Sequence, residues 1–139
     1  MSLGRGTDKP FHCYGHPSYH SATAKDTLSF TPAASTQKGN ICHGIDLNAI
    51  SETDARAVHF SLRYLIDAYN VVRANADTAN GKVWDGNAFF TPFFEKLVGV
   101  DYIRPMIIAG HAEEDIRARW QADIQYFEKQ RKPYLLYEE

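Results

Sequence analysis

Hydrophobic and polar positions keep different rhythms in the two halves of this 139-residue chain. In the first half, apolar residues alternate over short runs, the two-residue period of a strand with one buried face. Thr27-Leu28-Ser29-Phe30-Thr31 is the cleanest run, with Leu28 and Phe30 on one side and Pro32 as its stop. Ile41 to Leu47 predicts another strand, with Ile41, His43, Ile45 and Leu47 on one face and Cys42, Gly44 and Asp46 on the other. Glycine in mid-strand marks a bulge or a close backbone approach at Gly44. Phe11 to Tyr14 reads as a strand start, Phe11 and Cys13 sharing one face and His12 and Tyr14 the other. Gly15, Pro17 and Ser18 break it, and Gln37-Lys38-Gly39-Asn40 supplies turn chemistry.

From Ser51 onward the period lengthens to three and four. Val58, Leu62, Leu65, Tyr69, Val72 and Ala76 trace one apolar stripe, with His59, Arg63, Asp67 and Asn70 opposite, which predicts a single long helix. Ser51 and Asp54 form a variant capping pair ahead of it, either one serving as the N-cap. Asn80-Gly81 and Asp85-Gly86 mark a loop carrying Trp84. Thr91-Pro92 predicts the start of a short helix that Gly99 ends. A second short helix spans about Asp101 to Ala109, with Pro105 early in it and Gly110 closing it.

The last helix opens on Glu113, Glu114 and Asp115, the sign that the helix dipole favours there. Glu113–Arg117 and Asp115–Arg119 are i, i+4 pairs. Ile116, Trp120, Ile124 and Phe127 predict its buried face, and Tyr134-Leu135-Leu136-Tyr137 a packed extended tail after Pro133. Strands first and helices second give an α+β class: a small, mostly antiparallel sheet from the N-terminal half, covered by helices from the C-terminal half. No internal repeat, low-complexity segment or linker interrupts this order.

Composition narrows the function classes. Hydrophobic residues at 44% and charged residues at 23% are ordinary for a globular domain, and the length suffices for a core without disulfides. A net charge of −2 argues against nucleic-acid binding, which needs a basic face. No apolar run approaches the ~20 residues of a membrane span. Cys13 and Cys42 are too few for a disulfide framework and are expected as thiols, with one bridge as the alternative. Met1-Ser2-Leu3 has no signal-peptide pattern and reads as an expression leader. On that reading residues 4–139 are a domain cut from a longer protein.

Candidate chemistry concentrates in Gly4 to Pro17, where glycines, Arg5, Asp8, aromatics, a thiol and two imidazoles crowd one short run. His12, Cys13, His16 and His20, with Cys42-His43, offer enough ligands for zinc. The strand faces, however, separate His12 from Cys13 and Cys42 from His43, and Gly15 and Pro17 forbid a helical alignment of His12, His16 and His20. No metal and no cofactor is therefore expected. A Gly-x-Ser-x-Gly elbow is absent from the sequence. Asp8 and Asp46 are the acids placed beside the opening run or on a strand, and Trp84 is the aromatic placed to contact a sugar.

Several motifs occur in a fixed order: Gly4-Arg-Gly-Thr-Asp-Lys-Pro-Phe11, Phe30-Thr-Pro32, Lys38-Gly-Asn-Ile-Cys-His-Gly-Ile-Asp-Leu47, Tyr64-Leu-Ile-Asp-Ala-Tyr69 and Arg131-Lys-Pro-Tyr-Leu-Leu-Tyr137. Together they resemble the C-terminal domain of the NamZ-type exo-β-N-acetylmuramidases, in the version typical of Bacteroidetes-type bacteria. The resemblance runs from Gly4 to about Tyr137. It implies a two-domain parent, periplasmic or secreted, with a Rossmann-like N-terminal domain as partner and a cleft between the domains. The implied activity is removal of N-acetylmuramic acid from non-reducing ends of peptidoglycan fragments.

The resemblance also implies where the chemistry sits. A Glu-Gly-Thr segment just upstream of the Arg-Gly-Thr is the implied carrier of the catalytic acid, which leaves the catalytic residue unassigned in this chain. Arg5 and Thr7 match the Arg-Gly-Thr at the cleft edge, Arg5 suiting a carboxylate and Thr7 a carboxylate or sugar hydroxyl. Asp8, Phe11 and Trp84 complete the expected substrate-binding set. The alternative from another class is a non-catalytic module that binds glycan or docks the N-terminal domain.

Overall fold

Two glycines facing each other let three short strands close into one sheet. In the computed structural model, which describes residues 1–25, 27–75 and 86–137, β1 (Cys13–His16) and β2 (Thr27–Phe30) both pair antiparallel with β3 (Cys42–Asp46), in the order β1-β3-β2. Gly15 lies opposite Gly44, and a Cβ on Gly44 would sit 1.8 Å from the Tyr14 carbonyl oxygen. The close approach expected at Gly44 is thus the β1 backbone itself.

The register gives each sheet face its own cover. Tyr14 lies opposite Ile45 and His16 opposite His43, on one face. There Tyr14, Tyr19, Ala68 and Val72 form a buried cluster with Ile45, Leu47 and Tyr64 packed against it. Cys13, opposite Asp46, belongs to the other face, with Leu28, Phe30 and Cys42. That face is roofed by the opening residues: Cys13 and Cys42 are 1% and 0% exposed, and Gly4 sits over the Cys13 sulfur. Met1–Leu3, expected as a leader, lie along β1. Ser2 is buried, donates to the Gly15 carbonyl (2.8 Å) and accepts from its N–H (2.9 Å).

Strand limits differ from those read off the sequence. Phe11 adopts φ +64° and is exposed, so β1 begins at Cys13 and continues through Gly15 and His16, held extended by Ser2 on one edge and β3 on the other. The run from 41 to 47 shortens at both ends. Ile41 is exposed, and Leu47–Ala49 form a 3-10 turn capped by Asp46, whose carboxylate accepts from the Asn48 N–H.

The long helix predicted from Ser51 is two helices, α1 (Glu52–Val58) and α2 (Arg63–Ala74). Ser51 is the N-cap, accepting from the Asp54 N–H. His59 at φ +54° ends α1, and the Ser61 hydroxyl accepts from the Arg63 N–H as α2 begins. The stripe reads through the break because Val58 and Leu62 are four residues apart in sequence, the spacing that one helical turn would also give. Ala76 lies outside the described residues, as does the loop bearing Trp84. Tyr69, on α2, meets Phe89 edge-on at 5.5 Å and stacks with Phe90 at 5.7 Å.

A second compact unit covers Pro92–Glu139, the first being Met1–Thr91. It holds α3 (Phe94–Val98), α4 (Ile103–Ala109) and α5 (Glu113–Arg131), with Gly99 and Gly110 in left-handed conformation closing the first two as predicted. Pro92 and Phe93 form a turn rather than helix, so α3 starts later than Thr91-Pro92 implied, and α4 starts at Ile103 rather than Asp101. Arg104 grips Glu95 through both Nη2 (2.6 Å) and Nε (2.5 Å). Arg117 pairs with Glu113 at 2.9 Å as expected. Asp115 instead accepts from the Ala112 N–H, and Arg119 lies over the Tyr102 ring.

The predicted buried face of α5 holds for its first half only. Ile116 is fully buried and Trp120 half-buried, while Ile124 and Phe127 are exposed. The tail is not packed either, with Leu136 and Tyr137 more than four-fifths exposed at 89% and 85%. A 19-residue helix is ~28 Å long, whereas the seven residues of α4 reach ~10 Å, so the neighbouring helices are too short to cover the whole stripe. Among the described residues no helix is long and apolar enough to cross a membrane.

Candidate functional site

The segment from Gly4 to His12 has no regular structure, yet a set of hydrogen bonds within it and to its neighbours holds it. Gly4 takes φ +71°, and a Cβ there would fall 2.3 Å from the Lys9 carbonyl oxygen, so only glycine makes the first turn. The Thr7 N–H (3.2 Å) and hydroxyl (2.6 Å) both donate to the Gly4 carbonyl. The same hydroxyl accepts from the Lys9 N–H at 3.0 Å. Ala33 donates to the Gly6 carbonyl and Phe11 to the Leu3 carbonyl, at 2.9 and 2.8 Å.

One ion pair fastens the loop to the sheet. Lys9 Nζ lies 2.5 Å from Asp46 Oδ2, while Asp46 Oδ1 accepts from the Asn48 N–H at 3.0 Å. The bond from Lys9 and then that from Asn48 hold the Asp46 carboxyl below its ordinary value, and the same bond holds the Lys9 ammonium above its own. His12 Nδ1 reaches Asn48 Oδ1 at 2.6 Å, and the His12 carbonyl accepts from the Leu47 N–H. Asp46, one of the two acids that sequence reading considered, is therefore committed to holding the loop.

What the loop leaves outward is a short list. The Arg5 guanidinium carbon stands 4.9 Å from the centre of the Phe11 ring, and both side chains are exposed. The unusual φ of Phe11 is what turns its ring away from the sheet and under Arg5. Asp8 is exposed on the same turn. Of the expected set, the structure brings Arg5 and Phe11 together, keeps Asp8 on their loop, and engages Thr7 within the turn. Trp84 lies outside the described residues.

The thiols take no part. Both are free and buried, and burial is the main cause that pushes each thiol above its ordinary value, the setting of an inert cysteine. Among the described residues no three His, Cys, Asp or Glu side chains converge as metal ligands.

Comparison with known proteins places this loop in context. The family model for the C-terminal part of the exo-β-N-acetylmuramidase NamZ matches residues 1–137. The chain belongs to this family. A curated relative, the peptidoglycan β-N-acetylmuramidase NamZ of Bacillus subtilis strain 168, is 30% identical over 150 residues, which span 99% of this chain and 34% of that protein. Among solved structures, a DUF1343 family protein from Bacteroides fragilis NCTC 9343 superposes with a TM-score of 0.75 at 41% identity, over 99% of this chain and 36% of that one. The chain thus spans about a third of the length of each.

Within this NamZ C-terminal domain, sequence reading missed the residues that position the loop. Lys9 and Asp46 are 37 residues apart, and no local spacing announces their pairing. The one available signal was an acidic residue at the end of a strand, next to turn residues, which is the pattern of a cap.

Proposed function

We propose that this chain is the C-terminal domain of a peptidoglycan β-N-acetylmuramidase, and that its Gly4–His12 loop forms one wall of the sugar cleft. The observation that carries the reading is the outward Arg5–Phe11 pair on a loop whose Thr7, Lys9 and His12 side chains are bonded to the loop itself and to the sheet end. Among the described residues Arg5 contacts no carboxylate, so its fork of N–H donors remains available. A guanidinium suits the lactyl carboxylate that distinguishes muramic acid from glucosamine, because both oxygens can be held in parallel. An exposed aromatic edge beside it suits the apolar face of a pyranose. Preorganisation by Thr7 and Lys9–Asp46 lowers the ordering cost of binding.

On this reading the chain binds and orients substrate, and the catalytic acid comes from the N-terminal domain of the same protein, which works outside the cytoplasm where peptidoglycan fragments occur. The isolated chain is then inactive. In the full-length parent, Arg5→Ala should slow release of N-acetylmuramic acid from a chromogenic muramide by about tenfold or more. Wild-type rates in that variant would reject the role. Unchanged turnover with weakened association of the two domains would instead favour a docking module.

A further inference from the structure

A second constellation of polar groups lies on the same unit and includes none of Arg5, Thr7, Asp8 and Phe11. A cleft of about 310 Å³ opens between the Tyr19–Ser21 turn, β2 and the middle of β3. His20, Ser21, Thr27, Ser29 and His43 supply its polar lining. The register sets Ser29 opposite His43, and their side chains meet at 2.9 Å between Oγ and Nδ1. When the Ser29 hydroxyl donates in that bond, the neutral His43 ring carries its proton on Nε2 and can donate through it. The His20 ring stands 4.8 Å from the His43 ring, with the planes tilted by 41°. Ser21 Oγ accepts from the N–H groups of Thr23 (3.4 Å) and Ala24 (3.1 Å), which occupies both lone pairs and leaves its proton to donate.

The cleft is anchored, not improvised by surface side chains. Tyr19 is 1% exposed and donates to Asp67 of α2 at 2.7 Å. Asn75, the C-cap of α2, donates to the His20 carbonyl at 3.0 Å. The turn that presents His20 is therefore pinned to α2 at two successive residues.

We propose that this cleft binds a carboxylate, with His20 and His43 as imidazole donors and the Ser21 hydroxyl as a third. The donor inventory leads there: two imidazoles and a hydroxyl with a spare proton face a cleft whose described lining holds no acid. A carboxylate accepts through two oxygens and donates nothing, which matches a lining of donors. Among the described residues, the titratable groups that neighbour the pair are His16, opposite His43 on β1, and the Tyr19–Asp67 pair. Burial first, and then the N-terminal amine, hold His16 below its ordinary value, so it adds no competing charge near neutrality.

The carboxylate has two sources, the lactyl group of a muramyl sugar or a small free acid. Histidine Cε1 NMR signals of the 139-residue chain, titrated with D-lactate, N-acetylmuramic acid and N-acetylglucosamine, separate them. The acid probes should move the His20 and His43 signals and leave that of His111 in place. His20→Ala and His43→Gln should each abolish the response, and the exposed His20 keeps the test usable if His43→Gln unfolds. A response to both acids assigns the site to the carboxylate alone, and a response to N-acetylmuramic acid only assigns it to the sugar-borne group. Equal shifts with N-acetylglucosamine, no shift with either acid, or an undiminished response in His20→Ala would overturn the proposal. None of these results bears on Arg5, whose role is read from turnover in the parent.

Discussion

The Gly4–His12 loop has no regular structure and α5 is 19 residues of unbroken helix, yet the loop is the better fastened of the two. Hydrogen bonds reach it from Ala33 and Leu3, an ion pair ties it to β3, and its threonine closes its own turn. α5 satisfies its own backbone and needs little else: Ile116 is its one fully buried side chain among the described residues, and Ile124 and Phe127 in its second half are exposed. Regularity is a local property and fixation a tertiary one. The loop is the better place for a binding group because tertiary bonds set its side chains at defined positions, whereas the helix presents only a generic apolar surface.

The comparison can be broken most violently at the base of the loop. Gly44→Ala forces a Cβ to 1.8 Å from the Tyr14 carbonyl, so β1 must leave β3 and the loop loses its platform. More than ~4 kcal/mol of destabilisation is expected, with loss of cooperative unfolding by circular dichroism. A soluble Gly44→Ala protein melting like the wild type would show that the strands are not packed as described. Next in size is the contrast inside α5. Ile116→Ala should cost ~2–4 kcal/mol, and Phe127→Ala less than ~0.5 kcal/mol, in denaturant titrations of the same chain. Similar losses at the two positions would mean that the second half of α5 is buried after all.

The smallest effect should come from the Lys9–Asp46 pair, and it carries a pH signature. The carboxyl is held below its ordinary value of 3.8, so its contribution is present above that pH and disappears as pH falls through the lowered value. The ammonium is held above 10.5, so its contribution persists up to that pH and disappears as pH rises through the raised value. Protection factors for amide exchange at Thr7 and Phe11, taken against intrinsic rates at each pH, should therefore fall in acid and again in strong alkali. In Asp46→Asn both transitions should be missing, and a profile superimposable on the wild type would remove the pair from the account.

Much of this arrangement was legible from residue order. Alternation located β2 and most of β3, the Ser51–Asp54 spacing announced a cap without saying which residue forms it, and Gly99 and Gly110 announced two helix ends. The failures share a cause. Phe11 and His59 both take positive φ without being glycine, so nothing in residue type marks the turn at Phe11 or the break between α1 and α2. Trp120, Ile124 and Phe127 have the spacing of a buried face, but whether such a face is covered depends on the lengths of other elements. At the site, the richness of the opening run was visible, whereas the division of labour within it was not. Lys9 turns inward to a partner on β3, Thr7 closes the turn on Gly4, and Arg5 and Phe11 face outward together, none of which residue order announces.

The central claim is that Arg5 reads the carboxylate of muramic acid from a prefixed loop. Comparing kcat/KM of the full-length parent and its Arg5→Ala variant, on a chromogenic muramide and on the methyl ester of its lactyl group, tests that directly. The account predicts a loss of about tenfold or more on the acid and little further loss on the ester, because the ester has already removed the charge that Arg5 holds. Equal losses on acid and ester, or none on either, would contradict it.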